Sequence, residues 1–176
     1  MDATLSPESR MLRKLNASKP QSTQHASIPA DPFEPLFCFL YGTLMDPKTL
    51  SEVLRMLDPL PAMRRARLTG YGVKLWGSYP ALIHNPVQVV DGKVFEIMSK
   101  KQLDLLASYE TDRYRVHHCA IDILNDDSTV KSTIQGFTFL WNDQQDDLRD
   151  GKFDLKQWKR EKELQDMDDD CMQVWY

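Results

Sequence analysis

Long apolar runs are missing from this 176-residue chain, and no stretch approaches the roughly 20 residues of a membrane-spanning helix. Cysteine is scarce. Cys38, Cys119 and Cys171 are widely separated, show no Cys-x-x-Cys spacing and cannot all pair, which argues for reduced thiols in a cytoplasmic setting. There is no basic excess: the formal net charge is −4, and a nucleic-acid partner would call for a basic stripe. No G-x-x-x-x-G-K or G-x-G-x-x-G occurs, so a phosphate-binding loop is excluded. No G-x-S-x-G elbow occurs either, which removes the usual serine hydrolase arrangement. The N-terminus lacks the apolar core of a secretory signal, and there is no internal repeat.

What is present is enough aromatic and aliphatic sequence for one folded domain with tails. Residues 1–35 are dominated by Ser, Thr, Gln, Pro and Asn and cannot bury enough surface to offset their ordering entropy, so a mobile tail is expected. Arg10, Arg13, Lys14 and Lys19 bring a mitochondrial presequence to mind. Asp2, Glu8 and the lack of an amphipathic stripe make it the weaker reading. The folded domain is placed at 36–165, followed by an acidic tail over 166–176.

Within the domain the order of elements is strand-rich. Leu36 to Tyr41 reads as a strand buried on both faces. Asp46 then caps a helix, Pro47 suits its first turn, and Leu50, Val53, Leu54 and Leu57 fall at helical spacing until Pro59 and Pro61. Arg67 to Leu75 is a strand interrupted by glycines, and Gly77-Ser78-Tyr79-Pro80-Ala81-Leu82-Ile83 is a turn entering another strand. Asp91-Gly92, between Val87–Val90 and Lys93–Met98, is the strongest hairpin signal in the chain. Ser99 and Gln102 form a capping box for a helix that ends at Glu110. Tyr114 to Leu124 and Ile134 to Trp141 are strands, the second broken by Gly136. Asp154 caps a last helix, stapled by Phe153 and Trp158. No βαβ alternation is visible, so the expected class is α+β, a small, partly closed barrel with flanking helices.

Two features carry chemistry. The strand ending at Tyr41-Gly42-Thr43-Leu44 leaves backbone N–H groups free to grip a carboxylate or carbonyl oxygen, although glycine there also serves a plain turn. Glu110 lies between Tyr109 and Tyr114 in apolar sequence. A carboxylate held against aromatic walls has a raised pKa and works as a base near neutral pH, whereas most helix-end glutamates are solvated. His117 and His118 are adjacent on a strand and point to opposite faces, His84 reads as loop, and no metal or cofactor is expected. Cys38 sits in an apolar run where a thiolate is disfavoured. One carboxylate with backbone donors suits intramolecular aminolysis, because a tethered amine needs little more than deprotonation and a held oxyanion.

Tyr41-Gly42-Thr43-Leu44, Gly77-x-Tyr79-Pro80-Ala81-Leu82, Val90-x-Gly92-x-Val94, Tyr109-Glu110 with Tyr114, and Gly151-Lys152-Phe153-Asp154-Leu155-x-x-Trp158 together resemble the gamma-glutamylcyclotransferase-like superfamily, in its AIG2-like branch. The resemblance covers about Phe37 to Trp158. It implies an acyltransferase in which Glu110 takes the proton of the substrate's α-amino group. Leu40, Tyr41, Gly42, Thr43, Leu44 and Met45, with Tyr79 and Tyr114, would then hold the gamma-glutamyl group, and 5-oxoproline and an amine would leave. The partner it implies is that small molecule, with neither nucleic acid nor membrane involved.

The chain departs from the family pattern at Leu106-Ala107, where Leu-Asp is frequent, and at Tyr114-Arg115-Val116, where Tyr-x-Arg is frequent. Met45 stands where some members carry a basic residue. These positions bear on substrate choice more than on proton transfer. The alternative reading is a non-catalytic member that binds a small ligand or a partner protein on the same fold.

Overall fold

The computed structural model describes residues 33–57 and 62–172, with side chains as far as Met167. The N-terminal tail expected over 1–35 therefore lies almost wholly outside the described residues, as do Pro59 and Pro61. Strand β1 (Leu36–Leu40) leads through a 3-10 turn (Thr43–Met45) into helix α1 (Pro47–Leu54). Two long strands follow, β2 (Arg64–Trp76) and β3 (Tyr79–Ile97), then helix α2 (Lys100–Glu110). Strands β4 (Tyr114–Leu124) and β5 (Val130–Trp141) precede a second 3-10 turn (Gln145–Asp147) and helix α3 (Leu155–Met172), which runs into the acidic C-terminal stretch.

The strands close into a barrel in the order β1-β3-β2-β4-β5, so the chain adopts the expected α+β class. Pairing is antiparallel except at the seam, where β1 meets β5 in parallel and Cys38 lies opposite Phe137. Alternation along β1 explains why both of its faces are apolar. Phe39 joins Leu68, Leu82, Val94 and Ile121 in the barrel interior. Cys38 and Leu40 face the other way, into a second core with Leu50, Leu54 and Leu106 of the helices.

The Asp91-Gly92 hairpin does not form. Both residues sit inside β3, opposite Arg67 and Ala66 of β2, and Asp91 accepts from the Arg67 guanidinium at 2.6 Å. β3 also pairs with β1 there, Lys93 against Leu40. Gly92 is needed for close approach, because a Cβ would strike the Leu40 carbonyl and the Phe39 ring. Tertiary crowding, with no turn in the backbone, accounts for this glycine. The real β2–β3 turn is Gly77-Ser78, between the paired Trp76 and Tyr79, with Gly77 at φ 61. His84, expected in a loop, lies in β3. The β2–β3 register slips at Gly70, which has φ 89.

Other boundaries moved for local reasons. Helix α1 stops at Leu54, ahead of the prolines, because Arg55 takes a left-handed conformation (φ 53, ψ 42). Strand β5 begins at Val130 and continues through Gly136, whose missing Cβ makes room for the Phe37 carbonyl at the barrel seam. No helix among the described residues is long and apolar enough to cross a membrane.

The position of Gly92 gives a first test. Glycine in an exposed Asp-Gly turn would affect only the turn, whereas here Gly92→Ala overpacks the barrel wall. We expect a loss of roughly 1–3 kcal/mol in urea unfolding. Unchanged stability would contradict the continuous β3.

Candidate active site

Helix α2 is built to deliver its last residue to the barrel. Ser99 caps it, its hydroxyl accepting from the Gln102 N–H at 3.3 Å. Gln102 reaches back to accept from the Met98 N–H at 2.8 Å, one residue earlier than in the usual capping box. Leu106 is fully buried and seats the helix on the core. One turn later the Tyr109 phenol shares a 2.8 Å hydrogen bond with the Thr43 hydroxyl, tying α2 to the loop after β1.

That loop is held from several sides. Tyr41 points into the barrel, donates to the Phe139 carbonyl at 2.6 Å and accepts from the Leu82 N–H at 3.4 Å. Gly42 packs on Pro80 so tightly that a Cβ would collide with its ring. The Met45 and Asp46 N–H groups close the 3-10 turn on the Gly42 and Thr43 carbonyls. The Met45 carbonyl accepts from the Lys93 ammonium at 3.1 Å. Asp46 caps α1 through the Thr49 N–H and hydroxyl, both at 3.0 Å, and accepts from Lys159 of α3 at 2.7 Å. Among the described residues, nothing accepts from the N–H groups of Gly42, Thr43 and Leu44.

These elements enclose an open cavity with an empty volume of about 490 Å³, mouth included. Leu40, Tyr41, Gly42, Thr43, Leu44, Tyr79, Glu110 and Tyr114, all singled out from the sequence, line it together. Met45 does not. Its side chain packs against the helix-side core, and its contribution is the backbone link to Lys93. Phe39, Trp76, Pro80, Tyr109, Thr111 and Phe139 complete the lining. Tyr109 and Pro80 stood inside the quoted motifs. Trp76, Thr111 and Phe139 carried no signal, because only strand packing brings them to the same place.

Glu110 makes no hydrogen bond or ion pair among the described residues. Glu110 is half-buried in the cavity wall, and burial alone pushes its pKa up to about 8. The neighbouring phenols move upward as well, through burial and then through the nearby Glu110. Tyr114 donates to the Pro80 carbonyl at 2.9 Å. Cys38, fully buried near Glu110, is held well above the usual thiol range by its burial.

The remaining candidates lie elsewhere. His117 sits 3.0 Å from the Tyr71 hydroxyl, with its ring 5.2 Å from that of His84, and His118 is exposed on the other face. No group of three or more His, Cys, Asp or Glu side chains among the described residues is placed to hold a metal ion.

The strands close into an α+β barrel, and Glu110 lines the same cavity as the Gly42–Leu44 turn. Residues 38–160 match the family described as "Gamma-glutamyl cyclotransferase, AIG2-like", and the chain belongs to that family. It is 25% identical over 124 residues to "AIG2-like protein C" of Arabidopsis thaliana, covering 69% of this chain and 68% of that one. The same identity and length relate it to "Protein AIG2 A" of Arabidopsis thaliana, covering 69% of each. Two solution structures of Arabidopsis thaliana proteins share the fold, each at 23% identity. One has a TM-score of 0.56 and covers 84% of this chain and 86% of its own. The other has a TM-score of 0.54 and covers 80% and 91%.

The raised Glu110 pKa has a consequence for stability. An unfolded glutamate ionises near pH 4.3, and the folded one near 8. Between those values the folded state keeps a proton that the unfolded state releases, so stability falls as pH rises through the window. Glu110→Gln carries no ionisable proton and escapes the penalty. Its thermal midpoint is expected to exceed that of the wild type by several degrees near pH 8, the gap closing toward pH 5. An equal gap at both pH values would mean that the carboxyl ionises as if in water.

Proposed function

We propose that this chain is a gamma-glutamylcyclotransferase-type acyltransferase that converts a gamma-glutamyl amide into 5-oxoproline and a free amine. The observation that carries the reading is that Glu110 and the Gly42–Leu44 turn line one cavity. Membership of the family supports the reaction class. Buried Cys38 and Cys119, both free thiols, support a reducing compartment such as the cytoplasm.

In this mechanism the substrate's α-ammonium gives its proton to the Glu110 carboxylate. An α-amino group titrates at about 7.7–8.0, close to the Glu110 value of about 8, so the transfer is nearly balanced. The neutral nitrogen attacks the side-chain carbonyl carbon and closes a five-membered ring. Tethering of nucleophile to target supplies up to roughly 7–11 kcal/mol of the barrier. The free amides of the turn stabilise the developing oxyanion, each such donor being worth about 2.7–4 kcal/mol in comparable sites. The ring nitrogen then sheds its second proton to solvent, collapse of the intermediate breaks the bond to the leaving nitrogen, and that nitrogen takes the proton held by Glu110, so that 5-oxoproline and the free amine leave.

The test is a panel of gamma-glutamyl amines, peptides and thiol conjugates assayed for 5-oxoproline. With a responsive substrate, Glu110→Gln is expected to lose about 10²–10⁴-fold in kcat, the range typical of a general base, while still binding. A Gln variant that releases 5-oxoproline at the wild-type rate would falsify the assignment. The reactive pair is the ionised Glu110 with the substrate's α-ammonium, so kcat/KM should peak at a pH of about 8 and fall on both sides. Binding of the panel without turnover by the wild type would favour the non-catalytic reading.

A further inference from the structure

The carboxyl at the heart of the site is held by no side-chain bond, so the backbone that carries it must do the holding. That backbone is unusual at one residue. Thr111, directly after Glu110, has φ 68 and ψ 176. This region of backbone space is essentially reserved for glycine, and a β-branched residue there is strained. Thr111 is nevertheless buried, at 7% exposure, and the residue lines the cavity beside Glu110.

The strain persists because both ends of the connection are pinned. On one side α2 ends at Glu110, anchored through Leu106 and the Tyr109–Thr43 bond. On the other side β4 begins at Tyr114, whose hydroxyl is bonded to Pro80. Only Thr111, Asp112 and Arg113 join them. The Arg113 guanidinium pairs with Asp143 and Asp147 and lies 5.3 Å over the Trp76 ring, while the Arg113 backbone N–H donates to the Thr111 hydroxyl at 3.4 Å. Glycine would fit this turn at less cost in strain. Threonine at this position bears that cost, and its β-branched side chain is buried where glycine would leave space.

We propose that Thr111 is a positioning residue for Glu110, whose stiff, buried side chain keeps the strained turn in one conformation and so keeps the carboxyl aimed into the cavity. Its effect reaches the chemistry only through Glu110. The inference deepens the proposed function and extends to any ligand that Glu110 meets in the cavity.

The experiment compares wild type, Thr111→Gly and Thr111→Val, reading the thermal midpoint and the Glu110 carboxyl titration by carbon NMR in the absence of any substrate. Thr111→Gly relieves the strain and loosens the turn. Its midpoint should hold or rise, while the Glu110 titration moves down toward the ordinary carboxylate range as the side chain gains water. Thr111→Val keeps the branched side chain and should leave Glu110 titrating as in the wild type. On a substrate that the wild type turns over, Thr111→Gly should lower kcat about tenfold with KM little changed. A Thr111→Gly protein with the wild-type Glu110 titration overturns the proposal, as does a folded Thr111→Val protein that releases Glu110. If Thr111→Gly does not fold, the Val variant decides alone. The titration needs no substrate, so the proposal stands or falls apart from whether the wild type makes 5-oxoproline.

Discussion

Glu110 and the turn after β1 are each costly alone and complementary together. A carboxyl taken from water without a hydrogen-bond partner resists ionisation, and backbone amides without acceptors forfeit the bonds that water would give them. A ligand that brings a positive nitrogen to the first and an oxygen to the second relieves both. The barrel, the caps and the pinned loops keep these two groups in the walls of one cavity. Without that constraint Glu110 would be a solvated acid at a helix end, and the Gly42 turn an ordinary strand exit.

Polar links tie the walls of the cavity to one another. The Tyr109–Thr43 bond joins α2 to the turn, the Lys93–Met45 bond joins β3 to it, and Asp46 gathers α1 and α3 at its far end. Asp46 is buried and accepts from both Thr49 groups as well as from Lys159, which holds its carboxyl below the usual range despite its burial. The C-terminal helix, remote from the cavity in sequence, thereby supports the loop that lines it. Such hydrogen-bonded carboxylates count for more than exposed ion pairs like Lys100–Asp104, which contribute little.

The same glycine-rich signals had quite different physical causes. Asp91-Gly92 carried the sequence pattern of a hairpin turn, yet Gly92 answers to the carbonyl of another strand. Gly77 is the turn residue, with the left-handed backbone that glycine tolerates. Gly42 answers to Pro80 across the cavity wall. A dipeptide pattern reports local preference, while close approach between strands distant in sequence leaves no local mark. Where the need for a residue was local, the sequence was readable. Asp46, Ser99 and Asp154 cap the helices expected of them, because a cap and the N–H it accepts lie within three residues.

The sequence by itself determined the class of the fold, the helix starts, the strand-turn-helix after β1 and the candidacy of Glu110, since all of these rest on short-range pattern and side-chain chemistry. Only the tertiary structure decided that Glu110 is desolvated, that Trp76, Thr111 and Phe139 share its cavity, and that β3 runs unbroken through Asp91-Gly92. The reason is physical. Desolvation and cavity walls belong to the space between elements, and that space exists only once the barrel has closed.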